Sequence, residues 1–206
     1  MKGRYYIDFP TADPADTSQQ IDELKEEAQA LVAALKGNAE YEEILEKTQA
    51  CKSRVEQEWL SNLDTSLPFM QELTGLPLDG RYTVFIMHPS LGCGEYLSAG
   101  RIAMGWAADF ANEDTSTLWH EVLHDSGILG VDSKIGHAII ELSADNALRV
   151  HLNGGNYEPL HGERRRHYHR NKIFNNDWQG YVSSPTKDIR KFKEKMQQKY
   201  PSADRQ

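Results

Sequence analysis

The stretch His120-Glu121-Val122-Leu123-His124 decides how this sequence is interpreted. On an α-helix, positions i and i+4 lie one turn apart on the same face, so two imidazole rings at this spacing can converge on one ion. Zinc takes neutral imidazole nitrogens at about 2 Å. Glu121 follows the first histidine, where its carboxylate can accept a proton from a water molecule on the metal and pass it to a leaving amine. The pattern predicts a zinc site on a helix, with His120 and His124 as ligands and Glu121 as general base.

A second helical stretch downstream offers a third ligand. Sixteen residues separate His124 from Glu141, which is enough for a turn and a returning helix. We expect Glu141 to complete the protein ligands of one zinc ion per chain. Asp145 lies four residues later on the same face, where it can accept the second N–H of a ligand histidine. His137, one turn before Glu141, is an alternative ligand or a group that holds one.

The combination of His-Glu-x-x-His with a downstream Glu-x-x-Ala-Asp resembles the gluzincin branch of the zincin metallopeptidases. The resemblance covers residues 66–152 and implies a zinc metallopeptidase that acts on a peptide or protein substrate. It also implies that Asp145 orients His120. In those families a strand at the sheet edge holds the extended substrate, and residues 101–106 stand at the corresponding place before the motif helix.

The related metzincin pattern is the main rival, because the motif continues as far as Gly127. Metzincins place a histidine or an aspartate three positions further on, where this chain has Gly130. Glycine has no ligating side-chain atom. The metzincin interpretation therefore fails unless Asp132 or His137 takes that place.

The gluzincin resemblance also implies a downstream tyrosine or histidine that stabilises the oxyanion formed when water attacks. The candidates stand in the last fifty residues and are Tyr157, His167 and Tyr168, with His161, His169 and Tyr181 as further possibilities. The basic cluster at 164–170 is interpreted as a solvated face, with an acidic substrate or nucleic acid as the alternative.

The order of predicted elements is helices, then one or two strands, then helices, which indicates an α+β fold with a small sheet, an active-site helix and a glutamate helix. Residues 1–65 are predicted to form an N-terminal helical hairpin, either packed on the rest of the protein or separable as a pro-segment or arm. Residues 66–206 form the predicted zincin-like domain, with a strand at 81–87 and a charged helical tail at 187–199.

Composition excludes several classes of protein. The net charge of -8 argues against a nucleic-acid footprint over the whole surface. Two cysteines cannot build a disulfide framework, and no apolar run is long enough for a signal sequence or a membrane span. We therefore expect a cytoplasmic protein, or one exported without a cleaved signal. The alternative function is a non-catalytic, zincin-derived binding module that engages a partner through its helical arm.

Overall fold

The computed structural model describes residues 14–125, 128–129, 134–155 and 175–200. The chain divides into two compact units, Met1–Leu45 and Glu46–Gln206. The described residues combine helices with a three-stranded sheet, so the predicted α+β class is confirmed at this level.

The N-terminal helix α1 spans Pro14–Leu35. All residues from 22 to 40 are exposed. The apolar stripe of α1 is therefore open to solvent, including Leu24, Leu31, Val32 and Leu35.

Helix α2 spans Ala39–Thr74 as one helix, where the residue pattern predicts a helix at about 40–60 and a short helix at 66–76. Its apolar face keeps one helical register on both sides of Pro68, because Cys51, Val55, Met70 and Leu73 are all buried. Burial of this continuous face outweighs the interruption by proline, which costs a helix interior about 3 kcal/mol. Since Cys51 and Val55 belong to the core, cleavage after residue 65 would remove part of it.

The helix ends at Gly75, which has a φ of +71°. A Cβ atom at this position would overlap the backbone carbonyl of Lys187, so only glycine fits the turn.

The sheet has the strand order β1-β3-β2, with β1 at Thr83–Ile86, β2 at Cys93–Ser98 and β3 at Arg101–Gly105. A 3₁₀ turn at Pro89–Leu91 joins β1 to β2. β1 pairs with β3 in parallel, and β2 pairs with β3 antiparallel. The prediction that residues 101–106 form an edge strand is wrong, because β3 is central and nearly all buried. The two edge strands are β1 and β2.

The motif helix α3 spans Glu113–Leu123. The next helix begins as α4 (Lys134–Ile140), widens into a π-helical segment (Glu141–Leu148) and returns to α-helix in α5 (Arg149–Leu152). Two further helices follow, α6 at Asn175–Val182 and α7 at Ile189–Lys199.

Helix α7 belongs to the predicted charged tail, yet it buries one face in the core. Ile189, Phe192 and Met196 are buried, and the Phe192 ring stacks on Tyr181 with centroids 4.6 Å apart. Among the described helices, none is both long and apolar enough to cross a bilayer.

Candidate metal centre

Helix α3 carries the first three residues of the site. Glu121 and His124 are each 6% exposed, and His120 is half-buried. His124 closes the helix with helical dihedral angles (φ -70°, ψ -12°). The predicted i, i+4 placement of the two histidines is therefore present, and their ring centroids lie 4.8 Å apart.

Helix α2 fixes the N-terminus of α3. Asn112, which precedes α3, makes no side-chain cap bond. Instead Glu58 accepts a hydrogen bond from the Thr115 backbone N–H at 2.7 Å. Arg54 forms a two-pronged ion pair with buried Asp114, at 2.7 and 3.1 Å. Because both contacts come from another helix, the orientation of α3 depends on tertiary packing rather than on a local cap.

The second half of the site comes from α4 and the π-helical segment that follows it. His137 lies in the last turn of α4, and Glu141 opens the π-helical segment that also contains Asp145. A π-helix forms i→i+5 hydrogen bonds, is rare, and is frequently found at functional sites. Its wider turn sets the directions of Glu141 and Asp145 relative to α3.

Three imidazoles converge between these two helices. One possible ligand atom from each of His120, His124 and His137 lies within 4.8 Å of the others. The ligand atoms of a tetrahedral zinc site lie about 3.3 Å apart, so modest rotations of the rings would bring the three nitrogens to the distances of a zinc site. Three histidines this close together could hold a metal ion.

Two carboxylates approach these histidines from the second helix. Asp145 Oδ2 lies 3.0 Å from His120 Nδ1, which is the contact expected from the sequence, and it leaves Nε2 of that ring for a metal. Glu141 Oε1 lies 3.2 Å from His137 Nε2. This distance fits an ion pair that orients His137, and it also fits two neighbouring ligands of one tetrahedral zinc.

The site's electrostatics reflect the close packing of these groups. Burial lowers the pKa of His120, but the carboxylate of Asp145, aided by Glu121 and Glu141, outweighs burial and raises that pKa to about 9. Burial, together with repulsion from His120 and His137, lowers the pKa of His124 to about 3. His124 is therefore neutral at pH 7, which is the form that binds a metal.

The donor set suits zinc. Imidazoles backed by carboxylates are its usual environment in proteins, and zinc binding would displace the proton that His120 carries at pH 7. Nδ1 of His124 is buried and has no hydrogen-bond partner within the described ranges. An unsatisfied buried nitrogen is costly, and a ligand or ion reached by this ring would satisfy one of its two nitrogens.

The side chain of Glu121 lies on the face of α3 that contacts the edge strand β2. Burial raises the pKa of its carboxyl, while a hydrogen bond from the Tyr96 backbone lowers it. Gly94 leaves the space that the carboxylate needs, because a Cβ atom there would lie 3.1 Å from Glu121 Oε1 and 2.9 Å from Thr117 Cγ2. A buried carboxylate with a raised pKa is a stronger proton acceptor than an exposed one.

The structure contains hydrogen bonds between the end of α3 and the sheet that the sequence analysis does not predict. Asp125 follows the motif, and its Oδ2 accepts hydrogen bonds from the hydroxyls of Tyr96 (2.9 Å) and Tyr82 (3.4 Å). Burial, with the nearby charge of Asp125, raises the pKa of Tyr82 to about 12. Tyr96 thus attaches β2 to α3 at both Glu121 and Asp125. An acidic residue directly after the second histidine is the only sequence signal for this link.

The predicted oxyanion-stabilising residues are mostly outside the described ranges. Tyr157, His161, His167, Tyr168 and His169 all lie there, as do Gly130 and Asp132 of the metzincin alternative. Tyr181 is described and is a core residue, since it is buried and its hydroxyl donates to the Leu73 carbonyl at 2.7 Å. It is therefore removed from the candidates.

No family model, curated protein or solved structure matches this chain. The resemblance to gluzincins accordingly depends on the motif residues alone.

Proposed function

We propose that this protein is a zinc-dependent hydrolase that cleaves peptide bonds. The observation that carries the proposal is the position of Glu121, buried on the helix that also provides His120 and His124 to the converging histidines. A site that only stabilised the fold would not need a buried, ionisable carboxylate next to the histidines.

His120 and His124 would hold the ion in this proposal. The geometry favours His137 as the third ligand, because its ring belongs to the converging group. Asp145 and Glu141 would then hold the rings of His120 and His137 respectively, an arrangement common around catalytic zinc. The alternative predicted from the sequence has Glu141 itself as the third ligand. The zinc affinities of His137 and Glu141 variants distinguish these two arrangements.

Zinc bound there would supply a Lewis acid that polarises a carbonyl and lowers the pKa of water. The carboxylate of Glu121 would accept the proton from the attacking water and deliver it to the leaving amine nitrogen. Its burial supports this role, since burial raises the pKa of the carboxyl group and so makes the carboxylate a stronger proton acceptor.

A peptide substrate is supported by the edge strand β2, which lies next to Glu121. An extended chain can pair with a sheet edge through backbone hydrogen bonds, and this would place its carbonyls along the site. The strand is short, with six residues, which suits a few substrate positions on each side of the scissile bond.

The test compares Glu121→Gln with the wild-type protein. Purified protein is expected to contain about one zinc per chain, and Glu121→Gln to keep the metal while losing at least about 100-fold in cleavage of a mixed peptide library. Glu194→Gln is the matched control, because Glu194 is an exposed carboxylate on α7. Wild-type protein that folds without binding zinc, or a Glu121→Gln variant that cleaves as well as wild type, would refute the proposal.

A second candidate function is a non-catalytic binding module, and the exposed apolar stripe of α1 favours it. Leu24 is 64% exposed and Leu31 is 61% exposed, which is unusual for leucines on an amphipathic helix. In that case Glu121→Gln would leave partner binding intact, whereas Leu24→Asp with Leu31→Asp would abolish it.

A further inference from the structure

A cavity lies behind the motif helix, on the face of α3 that does not carry the histidines. Leu118, Val122 and Asp125 face this cavity and are spaced by four and three residues. At 100° per residue, they lie on the side of α3 opposite to His120 and His124. The cavity is therefore separate from the candidate metal centre.

The cavity has a volume of about 570 Å³. Its far wall is α2, its floor is α3, and strand β1 with the segment at 76–80 closes the remaining side. Its interior is apolar and includes Trp59, Leu63, Leu67, Val84, Leu118 and Trp119. This volume and this lining are typical of small-molecule sites, which hold about 300–1,000 Å³ and are mostly hydrophobic.

The polar groups of the interior are already satisfied. Trp119 Nε1 donates to Ser66 at 3.0 Å, and Asp125 accepts from two tyrosine hydroxyls. A ligand deep in the cavity would find no buried group that needs a polar partner among these residues. The interior therefore suits a hydrocarbon or aromatic group.

The charges at the mouth limit the ligand further. Lys52 and Glu56 form an ion pair at 3.0 Å, and Arg190 donates to the Ile128 carbonyl at 3.2 Å. Among the described lining residues, Lys52 and Arg190 are the cations, and Glu56, Asp79 and Asp125 are the carboxylates. These described residues carry a net charge of -1, which disfavours an anionic ligand.

We infer that this cavity binds a small apolar molecule that carries no negative charge. The site goes beyond the proposed hydrolase activity and does not depend on it. A ligand here would contact both α2 and α3 and so stabilise the packing between them.

Two dyes that share a naphthylamine core test the inference on the full chain. N-phenyl-1-naphthylamine is neutral, and 1-anilinonaphthalene-8-sulfonate is an anion. We expect saturable fluorescence enhancement by the neutral dye with one site per chain, and binding of the anionic dye weaker by roughly tenfold. An absence of saturable binding by the neutral dye would overturn the inference, as would equal or tighter binding of the anionic one.

Two pairs of variants locate the bound dye. Leu63→Trp and Val84→Trp fill the cavity from opposite walls and are each expected to weaken binding at least tenfold. Leu60→Trp and Phe85→Trp are their controls, because Leu60 is 71% exposed on α2 and Phe85 is 48% exposed on β1, neither of them lining the cavity. Circular dichroism checks the fold of each variant, and the two walls give independent readings if one variant misfolds. Dye binding that survives in a folded cavity-filling variant would refute this location.

Discussion

The contact between His137 and Glu141 yields a decisive prediction about the metal centre. The structure favours His137 as the third ligand and Glu141 as the group that orients its ring, at 3.2 Å. Zinc binding by structural four-ligand sites is worth about 10–16 kcal/mol, or about 2.5–4 kcal/mol per ligand, which corresponds to roughly 70-fold to 900-fold in affinity. Loss of a residue that only orients a ligand lowers affinity about 10–100-fold.

His137→Ala is therefore expected to weaken zinc binding about tenfold more than Glu141→Ala does. Glu141→Gln retains an oxygen acceptor for the His137 ring and should stay within about tenfold of wild type. Competition with a chromogenic chelator at constant pH measures the three dissociation constants, and circular dichroism checks that the variants fold. If Glu141→Ala and Glu141→Gln both lose more affinity than His137→Ala, the reasoning is refuted and Glu141 is the ligand.

Three further predictions concern the helix that carries the motif. Gly94→Ala places a methyl group 3.1 Å from Glu121 Oε1 and should reduce peptide cleavage about tenfold, measured as kcat/KM, with zinc content unchanged. Arg54→Ala leaves Asp114 buried without its ion-pair partner and should cost about 2–4 kcal/mol in urea unfolding, toward the low end because Arg54 is 37% exposed. In metal-free protein the pKa of His120, at about 9, exceeds its unfolded value of about 6.5. The folded state then binds the extra proton, so stability should fall between pH 6.5 and 9 by up to about 1.4 kcal/mol per unit.

Each of these predictions has a control within the chain. Gly180→Ala adds a methyl group where nothing lies within 4 Å, and should leave cleavage unchanged. Lys52→Ala removes an exposed ion pair from the same helix as Arg54 and should change stability by less than about 1 kcal/mol. His120→Gln should flatten the pH dependence above pH 6.5. A Gly94→Ala variant with full activity would contradict the argument about Glu121. An Arg54→Ala variant as stable as Lys52→Ala would contradict the argument about Asp114. Stability that rises between pH 6.5 and 9 would contradict the argument about His120.

The motif helix shows how much of the candidate site follows from local sequence. The i, i+4 spacing of His120 and His124 is a property of the α-helix itself, so their shared face follows once the segment is helical. The contact between Asp145 and His120 could also be predicted, because the resemblance to gluzincins implies it and the 16-residue gap allows a returning helix. The α+β class and the strand at 81–87 followed from residue pattern in the same way.

Tertiary structure decided the features that depend on residues distant in the chain. The sequence could not show that β2, rather than residues 101–106, forms a sheet edge, because strand order depends on pairing between strands. The residue pattern predicts separate helices at about 40–60 and 66–76, whereas burial of one continuous apolar face keeps α2 whole.

The identity of the third ligand was the hardest feature to predict, because Glu141 Oε1 and His137 Nε2 lie only 3.2 Å apart. A π-helical turn begins at Glu141 and changes the direction in which that side chain and its neighbours leave the helix. The 3.6-residue periodicity used to interpret a sequence does not foresee this change. The sequence by itself therefore determined which helix carries two of the candidate metal ligands, while the packing of a second helix decided that three imidazoles lie close together.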